Sequence, residues 1–235
     1  MLTETIDEVI DNLRSRTWKA HLLLNELYGE QEIFSRRDSM RELISTMLSH
    51  RTTHADEERA YSQMMERFET WEGVRDAPVE ELAQTLSPAR FPEPKAANIK
   101  KVLTKIIEER GEANIEFLRD LTAEEGMKWL MELPGVGLKT ATLVLLFNFQ
   151  KPVLPVDTHV HRVTQRLGLI SEKTTAEKAH AILLDFLPKQ AQVLFNFHKH
   201  FFWHGQKVCK WAKPYCEKCP LTDLCDYYQS RITIL

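Results

Sequence analysis

Four cysteines, a lysine and an aspartate carry most of the chemistry this sequence offers. The cysteines, Cys209, Cys216, Cys219 and Cys225, are the only four in 235 residues, and six, two and five residues separate them. Thiols gathered this tightly read as a metal site, either a tetrahedral zinc or an iron–sulfur cluster. A disulfide framework would instead tie distant parts of a secreted chain together. Spacing alone does not separate the two metals. Over 207–218, Lys207, Lys210, Lys213 and Lys218 stand against one acid, Glu217. This local basic surface is hidden by a whole-chain net charge of -3, so any polyanion surface must arise from clustering of this kind.

The lysine is Lys139, in "LPGVGLKTA" from Leu133 to Ala141. Gly135 and Gly137 permit a tight turn between two helices, with consecutive backbone N–H groups pointing outward near a helix N-terminus. That arrangement binds phosphate without reading a base. A bare GxG is equally available to a plain corner between helices. Lys139 changes the balance, because the first turn of a helix disfavours a protonated amine and burial lowers its pKa further. The neutral amine is a nucleophile, and a solvated lysine beside a phosphate is the alternative role. Asp157, in "VDTHVHRV", has the position of an N-cap, and a carboxylate held ionised there can also stabilise a developing cation.

Helical periodicity dominates the elements that must position these groups, and an all-α fold is expected. Helices are predicted over 4–28, 39–49, 54–69, 78–86, 95–110, 123–132, 138–149, 158–167, 175–187 and 190–204. Asp38 can cap the helix from 39, and Gly111 and Gly168 follow the ends of two others. Thr122 with Glu125 and Thr174 with Glu177 have capping-box spacing. "PVLPV" at 152–156 reads as an extended connector held open by Pro152 and Pro155. His200 and His204 in "FNFHKHFFWHG" have metal-ligand spacing but no accompanying carboxylate, and read as core packing beside the cysteines. The N-terminal "MLTETIDEVIDNL" is acidic and periodic, unlike a secretory or transit peptide. Runs such as "LVLLF" fall far short of the roughly 20 residues needed to span a bilayer. The expectation is an intracellular protein, cytoplasmic or at the nucleoid, with no membrane segment.

"LPGVGLKTA", "VDTHVHRV" and "HGQKVCKWAKPYCEKCPLTDLC" together closely resemble the endonuclease III family of DNA glycosylases, within the helix-hairpin-helix superfamily. The likeness runs from about Asp38 to Cys225. It implies a two-lobed all-α fold with DNA bound across the cleft: a helical bundle over 37–150, and a second lobe joining 1–36 to 151–235. The second lobe would carry the loop 205–226, in which the four cysteines hold a 4Fe–4S cluster. Lys139 and Asp157 would face each other across the cleft. By the same resemblance Lys139 attacks C1′ of a flipped nucleotide, expels the base and forms a Schiff base, and β-elimination then nicks the strand. Relatives that only excise adenine opposite oxidised guanine lack this lysine. The implied protein is a monomeric glycosylase and AP lyase for oxidised pyrimidines in double-stranded DNA containing damaged bases or abasic sites. Gly135, Val136, Gly137 and Lys210 would contact the DNA. A thymine or uracil mismatch glycosylase of the same superfamily is the nearest alternative, and a DNA-binding module with decayed catalysis is another.

Two stretches depart from the family. Where its members have "LLSAQATD" this chain has "MLSHRTTHAD", placing Arg51 at the glutamine and His54 at the aspartate. Where they have "GLYNSKAENI" it has "RFPEPKAANI", placing Phe91 at an aliphatic wedge and stiffening the turn with Pro92 and Pro94. Arg51 can hydrogen-bond an orphaned base and Phe91 can stack in the vacated gap. Contact with phosphate, or packing within the loop, is the simpler role for either residue.

Overall fold

The structure, a computed structural model, describes residues 5–33 and 37–232. Residue 4, where the first predicted helix begins, lies outside them. Among the described residues there is no strand. Within the described residues twelve α-helices run in the order α1 Ile6–Tyr28, α2 Ser39–Ser49, α3 His54–Phe68, α4 Trp71–Asp76, α5 Val79–Thr85, α6 Pro92–Arg110, α7 Ala123–Met131, α8 Leu138–Phe149, α9 Thr158–Arg166, α10 Ala176–Asp185, α11 Ala191–Lys207 and α12 Asp226–Ile232. They divide into two compact units, one formed by Phe34–Lys151 and the other by Met1–Ile33 with Pro152–Leu235.

In the first unit, α8 packs against both α2 and α7, and α6 packs against α4 and α5. Helix α8, "LKTATLVLLFNF", is apolar on nearly every side, as a helix surrounded by others must be. Its Val144, Leu145 and Leu146 are wholly buried, as are Leu43, Ile44 and Leu48 of α2 and Ile99, Leu103 and Ile106 of α6.

The second unit is built on α11, which lies against α9 and α1. Phe197 and Phe201 stack with centroids 4.0 Å apart and fill its core with Leu24, Val160, Val163, Leu183 and Leu194. His200 is fully buried beside them. Neither of its ring nitrogens has a hydrogen bond of ordinary geometry, and burial pulls its pKa down to about 4, with the Gly29 carbonyl offsetting this only in part. Residues 152–156 form the expected connector without regular structure, and Val153, Leu154 and Val156 are buried.

Local chemistry explains where the helices begin. Asp38 accepts from the Arg41 amide, and Thr122 with Glu125 completes a capping box. Helix α1 opens on another, Thr5 with Glu8. The start of α10 differs from expectation: Thr175 caps it by accepting from the Lys178 amide, while the Thr174 hydroxyl pairs with Ser171. Helix α6 begins at Pro92, three residues earlier than predicted. Pro92 and Pro94 occupy its first turn, where a missing N–H costs nothing. Helices α4 and α12, of 6 and 7 residues, are too short to show a period in the sequence.

Candidate functional site

The hairpin between α7 and α8 is closed by the Val136 amide, which donates to the Leu133 carbonyl at 3.1 Å. The outward-pointing donors are therefore not consecutive. Among the described residues the amides of Gly135 and Gly137 have no protein acceptor, while Val136 turns inward and buries its side chain. Gly135 has φ +77°, and a Cβ there would lie 2.7 Å from Asn98 Nδ2, so the turn and α6 approach only because the residue is glycine. Gly137 then caps α8, with Lys139 half-buried in the first helical turn.

The same unit gathers further positive groups near Lys139. His50, the residue after α2, is held below its usual pKa, chiefly by burial and then by the charges of Lys139, Lys95 and Arg51. Arg51 is exposed and has φ 55°. Phe91, at the N-cap of α6, is half exposed and has φ 58°. Left-handed backbone is uncommon for a non-glycine residue, and an outlier for a bulky one that precedes proline. His54, Glu57 and Glu58 bring three possible ligand atoms within 4.8 Å. Arg37 already pairs with both glutamates, and Arg41 with Glu58 at 3.0 Å, so this cluster is a charge-compensated ion-pair network at the start of α3.

In the other unit, α9 organises both remaining groups. Asp157 is its N-cap, and Oδ1 accepts from the amides of His159 at 2.9 Å and Val160 at 2.8 Å. Oδ2 has no partner among the described residues. Further along, Arg162 donates to the Cys209 carbonyl at 3.1 Å and to the Gly205 carbonyl at 2.7 Å. Arg166 donates to Lys210 O at 2.8 Å, to Trp211 O at 2.7 Å and to Cys209 Sγ at 3.3 Å. Gly205 admits this approach, because a Cβ there would lie 2.8 Å from His159 Cβ. One helix thus caps itself with Asp157 and grips the cysteine loop with two arginines one turn apart.

All four cysteines line a single small cavity with Arg166, Tyr215, Tyr227 and Tyr228. Burial, followed by neighbouring groups that include the other cysteines, raises the thiols of Cys216 and Cys225, and pushes Cys219 up to about 12. Such a set stays protonated unless a cationic centre binds it, so the donors suit a metal. Four thiols around one cavity suit either a tetrahedral zinc or an iron–sulfur cluster. His204 is buried against the loop, with Nε2 3.3 Å from Cys219 Sγ and Nδ1 3.3 Å from the Tyr28 hydroxyl. Lys210 is exposed, with its ammonium 4.9 Å from the Tyr215 ring centroid.

Of the residues singled out by sequence, Gly135, Val136, Gly137, Lys139, Arg51 and Phe91 belong to one unit. Asp157, Lys210 and the four cysteines belong to the other. His50, Arg162 and Arg166 were not read as site residues. The arginines had a legible signal, since two cations four positions apart on the helix that follows Asp157 share one face. His50 had none, because its neighbours come from α6 and α8.

Comparison with known proteins follows the same lines. Residues 44–189 match the family model described as HhH-GPD superfamily base excision DNA repair protein. Endonuclease III of Thermotoga maritima is 34% identical over 83% of this chain and 85% of its own length. Endonuclease III of Bacillus subtilis is 33% identical over 80% of this chain and 81% of its own. Among solved structures, a trapped endonuclease III–DNA covalent intermediate superposes with a TM-score of 0.80 at 27% identity, covering 93% of this chain and 98% of that one.

Proposed function

The chain belongs to the endonuclease III family of the HhH-GPD superfamily of base excision DNA repair proteins, and from that premise we propose that it is a bifunctional DNA glycosylase and AP lyase excising oxidised pyrimidines. The observation that carries this reading is Lys139, half-buried in the first turn of α8 directly behind the glycine hairpin. In this reading its amine, in the neutral form, is the nucleophile.

The amine attacks C1′ of a nucleotide flipped out of the stack, and the C1′–N bond breaks with its electron pair leaving on the base, which takes up a proton. Ring opening of the sugar gives the Schiff base, and loss of a C2′ proton expels the 3′ phosphate by β-elimination. Asp157 opposes the positive charge that develops on the sugar. Its Oδ1 accepts from two amides, and Oδ2 remains for the developing cation. The amides of Gly135 and Gly137 and the side chain of Lys210 hold the DNA backbone. Cys209, Cys216, Cys219 and Cys225 hold a 4Fe–4S cluster, which supplies a rigid cross-link for the basic loop and takes no part in bond breaking.

Borohydride trapping across a panel of duplexes tests the reading. A covalent adduct should form with thymine glycol and with abasic DNA. Excision confined to G·T or G·U pairs would transfer the protein to the mismatch class, and no adduct on any substrate would overturn the lyase assignment.

A further inference from the structure

Lys95 is a buried lysine, 8% exposed, in the first turn of α6. Its ammonium donates to Leu48 O at 2.5 Å, to His50 O at 3.0 Å and to the Thr52 hydroxyl at 2.8 Å. Three N–H groups thus meet three acceptors on the segment that carries Arg51. The Thr52 hydroxyl oxygen also accepts from the Arg90 amide at 3.1 Å, immediately before Phe91. The hydroxyl itself donates to His50 O at 3.2 Å. One lysine and one threonine therefore join the segment 48–52 to the segment 90–95.

Both joined segments present a side chain from left-handed backbone, Arg51 at φ 55° and Phe91 at φ 58°. Such conformations are costly and persist only where surrounding structure over-determines them. Here the over-determination is visible in the contacts of Lys95 and Thr52. Burying an ammonium is itself costly, and burial draws this one down to about 8. A lysine in water would carry no such cost.

We propose that Lys95 and Thr52 form a staple that sets the backbone of Arg51 and Phe91 together, so that the two side chains enter the duplex as one unit. Both are positioning residues, acting through Arg51 and Phe91. The inference rests on the reading of this protein as a base-excision enzyme only in that the duplex is its ligand.

The test uses the whole protein and a duplex containing a tetrahydrofuran abasic analogue opposite 2-aminopurine, which requires no chemistry. Wild type should raise the 2-aminopurine fluorescence as the orphaned base is unstacked. Thr52→Val, which keeps shape and removes only the bridging hydroxyl, should lose most of that rise. Its affinity for the duplex should fall roughly tenfold, on the scale of one lost stacking contact. Lys95→Met should do the same, with an accompanying loss of thermal stability. In the Thr52→Val background, Arg51→Ala and Phe91→Ala should each cost much less than in wild type, because the unit is already broken. Undiminished fluorescence in Thr52→Val, or additive losses in the double variants, would overturn the staple. So would a wild type that binds without changing the probe. Failure of borohydride trapping alone would count against the lyase reading and leave these optical results to decide the staple.

Discussion

Replacing each hairpin glycine with alanine separates what the turn needs for folding from what it needs for DNA. Gly137 has φ -100° and ψ 179°, an extended conformation open to any residue, and a Cβ there meets nothing within 4 Å. Gly137→Ala sacrifices some N-cap preference, about 0.5–1 kcal/mol. It regains a similar amount, about 0.4–1 kcal/mol, from the unfolded chain. Folding stability should therefore be nearly unchanged. If a phosphate accepts the Gly137 amide, however, the new methyl group obstructs its approach, and a hydrogen bond to a charged group is worth about 1.5–3 kcal/mol. The dissociation constant for an abasic-analogue duplex should rise roughly ten- to a hundredfold. Gly135→Ala differs, since left-handed backbone costs alanine about 1–2 kcal/mol and its Cβ would sit 2.7 Å from Asn98 Nδ2. Its melting temperature should drop by several degrees. Fluorescence anisotropy paired with thermal melts reads both quantities. Wild-type affinity in Gly137→Ala would show that nothing approaches the protein there, and the phosphate-binding role of the hairpin would be lost.

The other expectations concern the metal, the core and the probing residues. The purified protein should be brown with about four irons per chain, and Cys216→Ala should lose both colour and iron, because three thiolates leave a cluster incompletely held; a colourless protein with one zinc would refute the cluster. His200 has a folded pKa of about 4 against 6.5, so between these values the unfolded chain binds the proton that the native state refuses. Stability is therefore full above pH 6.5 and falls as pH drops toward 4. From pH 7 to pH 5 this group removes about 2 kcal/mol. His200→Phe should lose correspondingly less in urea melts at the two pH values, and parallel losses in both proteins would refute this. Phe91→Ala and Arg51→Ala should each slow excision from paired lesions far more than cleavage of a single-stranded abasic site, because a nucleotide already outside a duplex needs no gap filled. Arg51→Ala should also alter the opposite-base preference, and equal slowing on both substrates would assign these residues to the scaffold.

Much of this architecture was legible where one residue type has one common use. Asp38 and Thr122 announced helix starts, and four clustered cysteines announced a loop whose sulfur-bearing side chains line one cavity. The misreadings share a physical cause. Pro92 and Pro94 looked like a stiffened turn because proline is tolerated both before a helix and in its first turn, and sequence cannot distinguish these placements. Thr174 and Thr175 are adjacent potential caps, and the choice fell to Thr175 once Thr174 paired with Ser171. The inward Val136 amide and the Lys95 staple depend on tertiary neighbours, Leu133 in the first case and residues more than forty positions away in the second. The grip of Arg162 and Arg166 on the cysteine loop is likewise long-range, although their spacing on α9 hinted at a shared face.

The assignment stands on Lys139. Incubating wild type and Lys139→Gln with abasic duplex and borohydride, then mapping the covalent adduct by peptide mass spectrometry, tests it most directly. Wild type should give one DNA adduct on the peptide containing Lys139, and Lys139→Gln should give none while binding the abasic-analogue duplex with near wild-type affinity. An adduct on another residue, or undiminished trapping by Lys139→Gln, would contradict the account.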